Sequence, residues 1–138
     1  HAVTYDTKID VISIVKEVCD LMQVCTQSAG LRPFGVSMLV GGVEDDGEVK
    51  LFVTEPYGLY WQYKAAAIGE GETEVEEILL KKWKPSLTIE EGLKIGLDAM
   101  KEFLKKDYGV ERVDAAFGSV KDRKFTKLTD AELEKYGK

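Results

Sequence analysis

Apolar residues recur at Val11, Val15, Val18, Met22 and Cys25, the i, i+4, i+7 spacing of an amphipathic helix that starts from an Asp10 N-cap and runs to about Ser28. Ile14 and Leu21 widen the stripe, which predicts a helix buried between a sheet and a neighbour. Before it, His1 to Lys8 reads as a polar, extended lead with Val3 and Tyr5 as its large apolar groups. Beyond Pro33 the period becomes two. Phe34, Val36, Met38 and Val40 alternate with Gly35, Ser37, Leu39 and Gly41, which predicts a strand whose small-residue face admits a closely packed helix. The Asp46-Gly47 turn should return the chain antiparallel through Val49 to Thr54. After a second turn at Pro56-Tyr57-Gly58, strands over Leu59 to Tyr63 and Lys64 to Gly69 are expected to complete a meander.

Two helices follow. Thr73 with Glu76 reads as a capping box for a helix to Lys84, carrying Val75, Ile78, Leu79 and Trp83. Thr88 with Glu91 reads as another for a helix carrying Ile89, Leu93, Leu97, Met100 and Leu104. Gly92 and Gly96 lie one turn apart, and interior helical glycines are unfavourable enough to suggest close backbone approach by another element. A hairpin over Arg112 to Val120 and Lys124 to Leu128 precedes a short helix capped by Thr129 and Glu132, ending at Tyr136. The fold class is therefore α+β, antiparallel sheets flanked by helices, with residues 1–138 expected to form a single domain.

Charge and composition narrow the function. A net charge of −6 disfavours nucleic acid or an anionic membrane as partner. No apolar run reaches the length of a membrane span and no leader is visible, so a cytoplasmic location is expected. Cys19 and Cys25 lie on one predicted helix, too far apart around its axis to pair with each other. Buried reduced thiols and a reactive thiol both remain open. With one histidine and no CxxC, no metal ligand set forms and no cofactor is implied. The acidic run Glu70, Glu72, Glu74, Glu76 and Glu77 reads as a solvated helix start. Trp61 should share a strand face with Leu59 and Tyr63, with Tyr60 pointing the other way.

At the helix-to-strand junction, Gly30 suits a positive φ and Pro33 pushes Arg32 out of the α region, leaving an arginine in a short connector. Thr26-Gln27 followed by Gly30-Leu31-Arg32-Pro33-Phe34-Gly35-Val36-Ser37 resembles the corresponding junction of proteasome α-type subunits, most of all archaeal ones. Leu51-Phe52 with Thr54 and Pro56-Tyr57-Gly58, then Tyr63-Lys64-Ala65-Ala66-Ala67-Ile68-Gly69, follow in the family's order.

The resemblance implies part of the four-layer αββα sandwich of N-terminal-nucleophile hydrolases, and a non-catalytic structural and gating role. The implied partners are β-type subunits, other α-type subunits in a homo-oligomeric ring, an ATPase activator and unfolded protein in transit. The implied ring-opening segment is Ser28, Ala29, Gly30, Leu31 and Arg32, with Ser28, Ala29 and Leu31 standing where the family usually has Tyr, Gly and Val. The implied subunit-interface helix presents Val11, Val15, Val18 and Met22. Only the C-terminal portion of such a subunit is matched; the gating tail, first helix, early strands and activator-pocket lysine have no counterpart. An exposed sheet edge is therefore expected to be completed by the rest of a subunit, by another chain or by self-association.

Catalysis of the family's kind needs a nucleophile at residue one, where this chain has His1; Thr4 lacks the following strand-and-lysine pattern. Two alternatives stand beside the subunit reading. One is a stand-alone, self-assembling scaffold without protease partners, and the other is an enzyme using Cys19 or Cys25 as nucleophile.

Overall fold

The computed structural model describes residues 8–136; all of the expected extended lead but Lys8, Thr4 included, falls outside them. The chain divides into two compact units, residues 1–64 and 65–138.

The first unit packs one helix on one sheet. Helix α1 spans Val11–Gln27, and its Asp10 cap accepts the Ser13 N–H at 3.2 Å. Three strands follow, β1 (Met38–Val43), β2 (Val49–Thr54) and β3 (Tyr60–Gln62), all antiparallel in the order β1-β2-β3. β2 matches its predicted range. β1 starts four residues later than expected, because residues 31–37 have no regular structure, and the strand expected over Lys64 to Gly69 does not form.

Val11, Val15, Cys19, Met22 and Cys25 are buried along α1. Val11, Val15 and Cys19 cluster with Phe52, against which Ile12, Val40 and Tyr60 also pack. The Tyr60 ring meets Phe52 edge-on at 6.1 Å between centroids, as the alternation along that strand predicts.

The helix lies on the face of β1 that carries Met38, Val40 and Gly42, not on the small-residue face of Gly35, Ser37, Leu39 and Gly41. The close approach that small residues were expected to permit comes from Gly42 instead. A Cβ there would sit 2.6 Å from Val11 Cγ2. The β2–β3 turn docks on the same helix through Gly58, at φ +83, where a Cβ would lie 2.6 Å from the Cys19 carbonyl oxygen. The β1–β2 turn adds a polar tether, since Glu44 Oε1 accepts the Val11 N–H at 3.1 Å, one of the donors that a helix start leaves unmatched.

The second unit holds α2 (Glu72–Lys82), α3 (Ile89–Leu104), the hairpin of β4 (Ala116–Gly118) and β5 (Phe125–Lys127), and α4 (Asp130–Tyr136). Its core gathers Leu97, Leu128 and Leu133, with Leu93, Val113 and Phe117 packed against them. The hairpin is shorter than predicted because Val110–Arg112 forms a 3-10 turn.

The Thr88–Glu91 box is complete: Glu91 N–H donates to Thr88 Oγ1 at 3.2 Å and Thr88 N–H to Glu91 Oε2 at 2.8 Å. The Thr129–Glu132 cap also forms, at 2.8 Å. The Thr73–Glu76 box does not. Helix α2 starts one residue before Thr73, from Gly71 at φ +74, and Glu76 accepts the Ala67 N–H instead. Nor do Gly92 and Gly96 mark a close contact among the described residues, since a Cβ at either would meet nothing within 4 Å.

Candidate functional site

The junction after α1 is set by the helix it ends. With Met22 and Cys25 buried, the last turn is fixed, and Ser28 closes it by donating its N–H to the Val24 carbonyl at 3.1 Å. The chain then turns through Ala29 and Gly30, where φ is +92, and Leu31 N–H returns to the Ser28 carbonyl at 3.2 Å. A helix end that cannot shift thus carries a turned loop.

Of the five predicted ring-opening residues, Ser28 is half-buried, and Ala29, Gly30, Leu31 and Arg32 are exposed. The Arg32 guanidinium takes part in none of the ion pairs among the described residues. An exposed leucine beside an exposed cation offers an outside chain both apolar contact and hydrogen-bond donors.

The residues expected to make α1 an interface divide differently. Val11, Val15 and Met22 are taken up by the chain's own core, and Val18 is half-buried. The apolar side chains that α1 leaves exposed are Ile14, Leu21 and Val24. The spacing of Ile14 and Leu21, two turns apart, is the signal for this second surface; only which flank would meet the sheet was not legible.

The chemistry available for catalysis is thin. Burial pushes the Cys19 thiol above its ordinary range and the neighbouring Asp20 carboxylate adds to the effect, so the nucleophilic thiolate is disfavoured. Both cysteines are free and buried. No group of three or more His, Cys, Asp or Glu side chains suited to a metal occurs among the described residues. No helix there is long and apolar enough to cross a membrane.

The model of the proteasome subunit family matches residues 1–117. The chain belongs to the proteasome subunit family. Among curated relatives it is 39% identical over 136 residues to the proteasome subunit alpha of Pyrococcus horikoshii, covering 99% of this chain and 51% of that protein. It is 38% identical over 135 residues to that of Methanocaldococcus jannaschii, covering 98% and 51%. With that of Metallosphaera sedula it shares 39% identity over 138 residues, covering 99% and 57%. The chain thus spans about half the length of the curated relatives it matches, and the α+β fold read from its pattern is that of the proteasome family.

Proposed function

We propose that this chain is a non-catalytic, α-type structural and gating subunit of a cytoplasmic proteasome core particle, with residues 1–138 acting as one domain. Copies of it and other α-type subunits form a ring stacked on β-type subunits, and the Ser28–Arg32 loop lines the opening through which unfolded protein enters, under the control of a docked ATPase activator. The observation that carries this reading is an exposed Leu31-Arg32 loop held at the end of a helix whose inner face is fully buried. A gate element must be solvent-facing and yet fixed in place, and that combination supplies both.

The non-catalytic part rests on kinship and on chemistry. The relatives that the chain matches are proteasome alpha subunits, and the buried, proton-retaining Cys19 is a poor nucleophile. Ile14, Leu21 and Val24 supply the exposed apolar flank with which α1 meets a neighbouring subunit.

The test is co-expression with an archaeal β-type subunit followed by negative-stain imaging. Stacked rings containing both chains are expected; recovery of this chain without any bound β-type subunit, as closed particles or as free chains, sinks the reading. In assembled particles, Arg32→Ala should change the rate at which an unfolded protein is degraded while leaving hydrolysis of a small peptide unchanged.

A further inference from the structure

We propose that the opening selects by charge, admitting acidic stretches of unfolded protein ahead of basic ones, because each copy sets the Arg32 guanidinium on its rim. This deepens the ring proposed above and rests on it.

The chain is 32% charged, yet residues 21–43 hold a single charged side chain, Arg32. That side chain is exposed and takes part in none of the ion pairs among the described residues. The acids that bound this stretch are held elsewhere. Asp20 lies eight positions before Ser28 on α1, about 12 Å along the axis and beyond the Debye length of about 8 Å at physiological salt. Glu44 is tied to the Val11 N–H at the other end of the same helix, about 25 Å from Ser28. Glu55, in the turn whose Gly58 docks against Gln23 of α1, forms no ion pair with Arg32 among the described residues.

The rest of the rim, Ser28, Ala29, Gly30 and Leu31, is uncharged. Closed symmetry repeats one cation per copy around a narrow passage, and low-dielectric walls focus the field of such a set. Rings of arginine or lysine are the arrangement by which pores favour anions. Asp and Glu carboxylates of a passing chain accept charge-assisted hydrogen bonds from the guanidinium, whereas its lysines and arginines meet a like charge. Leu31, 54% exposed, adds apolar contact that does not discriminate by charge. The net −6 of the chain opposes an acidic substrate only at long range, where salt screens it, while contact at the rim is with Arg32.

The test uses particles assembled from the full chain and an archaeal β-type subunit. The probe is one disordered polypeptide made in two versions, with Glu or with Lys at the same positions. Each degradation rate is divided by that of a short peptide of matching charge, which cancels the preference of the β-type subunits themselves. The acidic version should be degraded about tenfold faster than the basic one. Arg32→Gln should bring the two rates together, Arg32→Glu should reverse their order, and Arg32→Lys should keep it. In unaltered particles the acidic advantage should shrink as salt rises from about 50 to about 500 mM, a measurement that holds the test open if substitutions at Arg32 prevent assembly.

Particles that assemble but degrade both versions at one normalised rate overturn the charge selectivity and leave the ring standing. So does an acidic preference that survives Arg32→Glu, that Arg32→Lys abolishes, or that salt does not weaken. Failure to form any particle containing both chains sinks the ring itself, and the selectivity with it.

Discussion

The two units of this chain set helices against antiparallel strands by different means. In the first, α1 buries five side chains on one face, and the contact is close because Gly42 and Gly58 have no Cβ to hold the helix away. In the second, α2 buries none of its side chains, and Leu80 on it is 84% exposed; the core there is made by α3, the hairpin and α4. The same apolar residue types therefore count differently in the two units. A seam continuous over four turns ties a helix to one neighbour, whereas the stripe of α2 is only half-buried and its N-cap, Gly71, offers no side-chain hydrogen bond, so that polar contacts such as the Lys82–Asp98 ion pair at 3.8 Å count for more there.

The largest expected difference follows directly. Met22 is fully buried, so Met22→Ala should destabilise the chain by about 2–5 kcal/mol, the transfer term plus a cavity, while Leu80→Ala should stay within about 0.5 kcal/mol. Urea denaturation of both variants measures the contrast. Equal losses would mean that α2 relies on packing to the same degree that α1 does. Next comes Gly58→Ala, which adds a strained left-handed backbone to a clash with the α1 backbone and should destabilise by about 1–3 kcal/mol. Gly92→Ala, in open space on α3, should stabilise by up to about 1 kcal/mol.

These cases mark where the sequence was legible. The α1 period, the β2 range, the Asp-Gly turn and the Thr88 and Thr129 caps are local signals, and each lies where its own residues dictate. The failures are non-local. Whether Thr73 or Gly71 begins α2 depends on Glu76 having a rival donor at Ala67. The face of β1 that meets α1 depends on which glycine the helix crosses, and alternation alone ranks both faces as plausible. At the candidate site, the loop Ser28–Arg32 was readable from Gly30 and Pro33. The division of α1 into core residues and an exposed flank was not, because it depends on how much covering surface the described residues supply.

A smaller effect of opposite sign sits in the first unit. Thr54 is fully buried and its hydroxyl has no hydrogen-bond partner, the expensive arrangement for a polar group. Thr54→Val keeps the shape and removes the orphan, so it should stabilise by about 1 kcal/mol, raising the urea midpoint without changing the slope. In the second unit, Thr88→Ala should lose about 1 kcal/mol and Thr73→Ala close to nothing, since only the first of those hydroxyls caps a helix.

The smallest effect concerns acid. Asp10 in the first unit, and Glu91 and Glu132 in the second, are held below their ordinary values by the donors at the helix starts: first the side chain and then the N–H of Ser13 for Asp10, and first the N–H and then the hydroxyl of Thr88 and of Thr129 for the two glutamates. A carboxyl whose folded value is depressed contributes stability that is complete above its unfolded value, 3.8 for Asp10 and 4.5 for the glutamates. That contribution is lost as pH falls through the lower folded value. Stability should therefore be flat with respect to these groups near neutrality and decline below about pH 4.5. Two of the three caps lie in the second unit, so its decline should be the larger. Trp61 reports the first unit and Trp83 the second, and single-tryptophan variants followed by fluorescence during urea unfolding at pH 7 and pH 4 measure each separately. Replacing Glu91 with Gln should flatten the acid response at Trp83 and leave that at Trp61 unchanged; an equal change at both would show that the caps do not act locally.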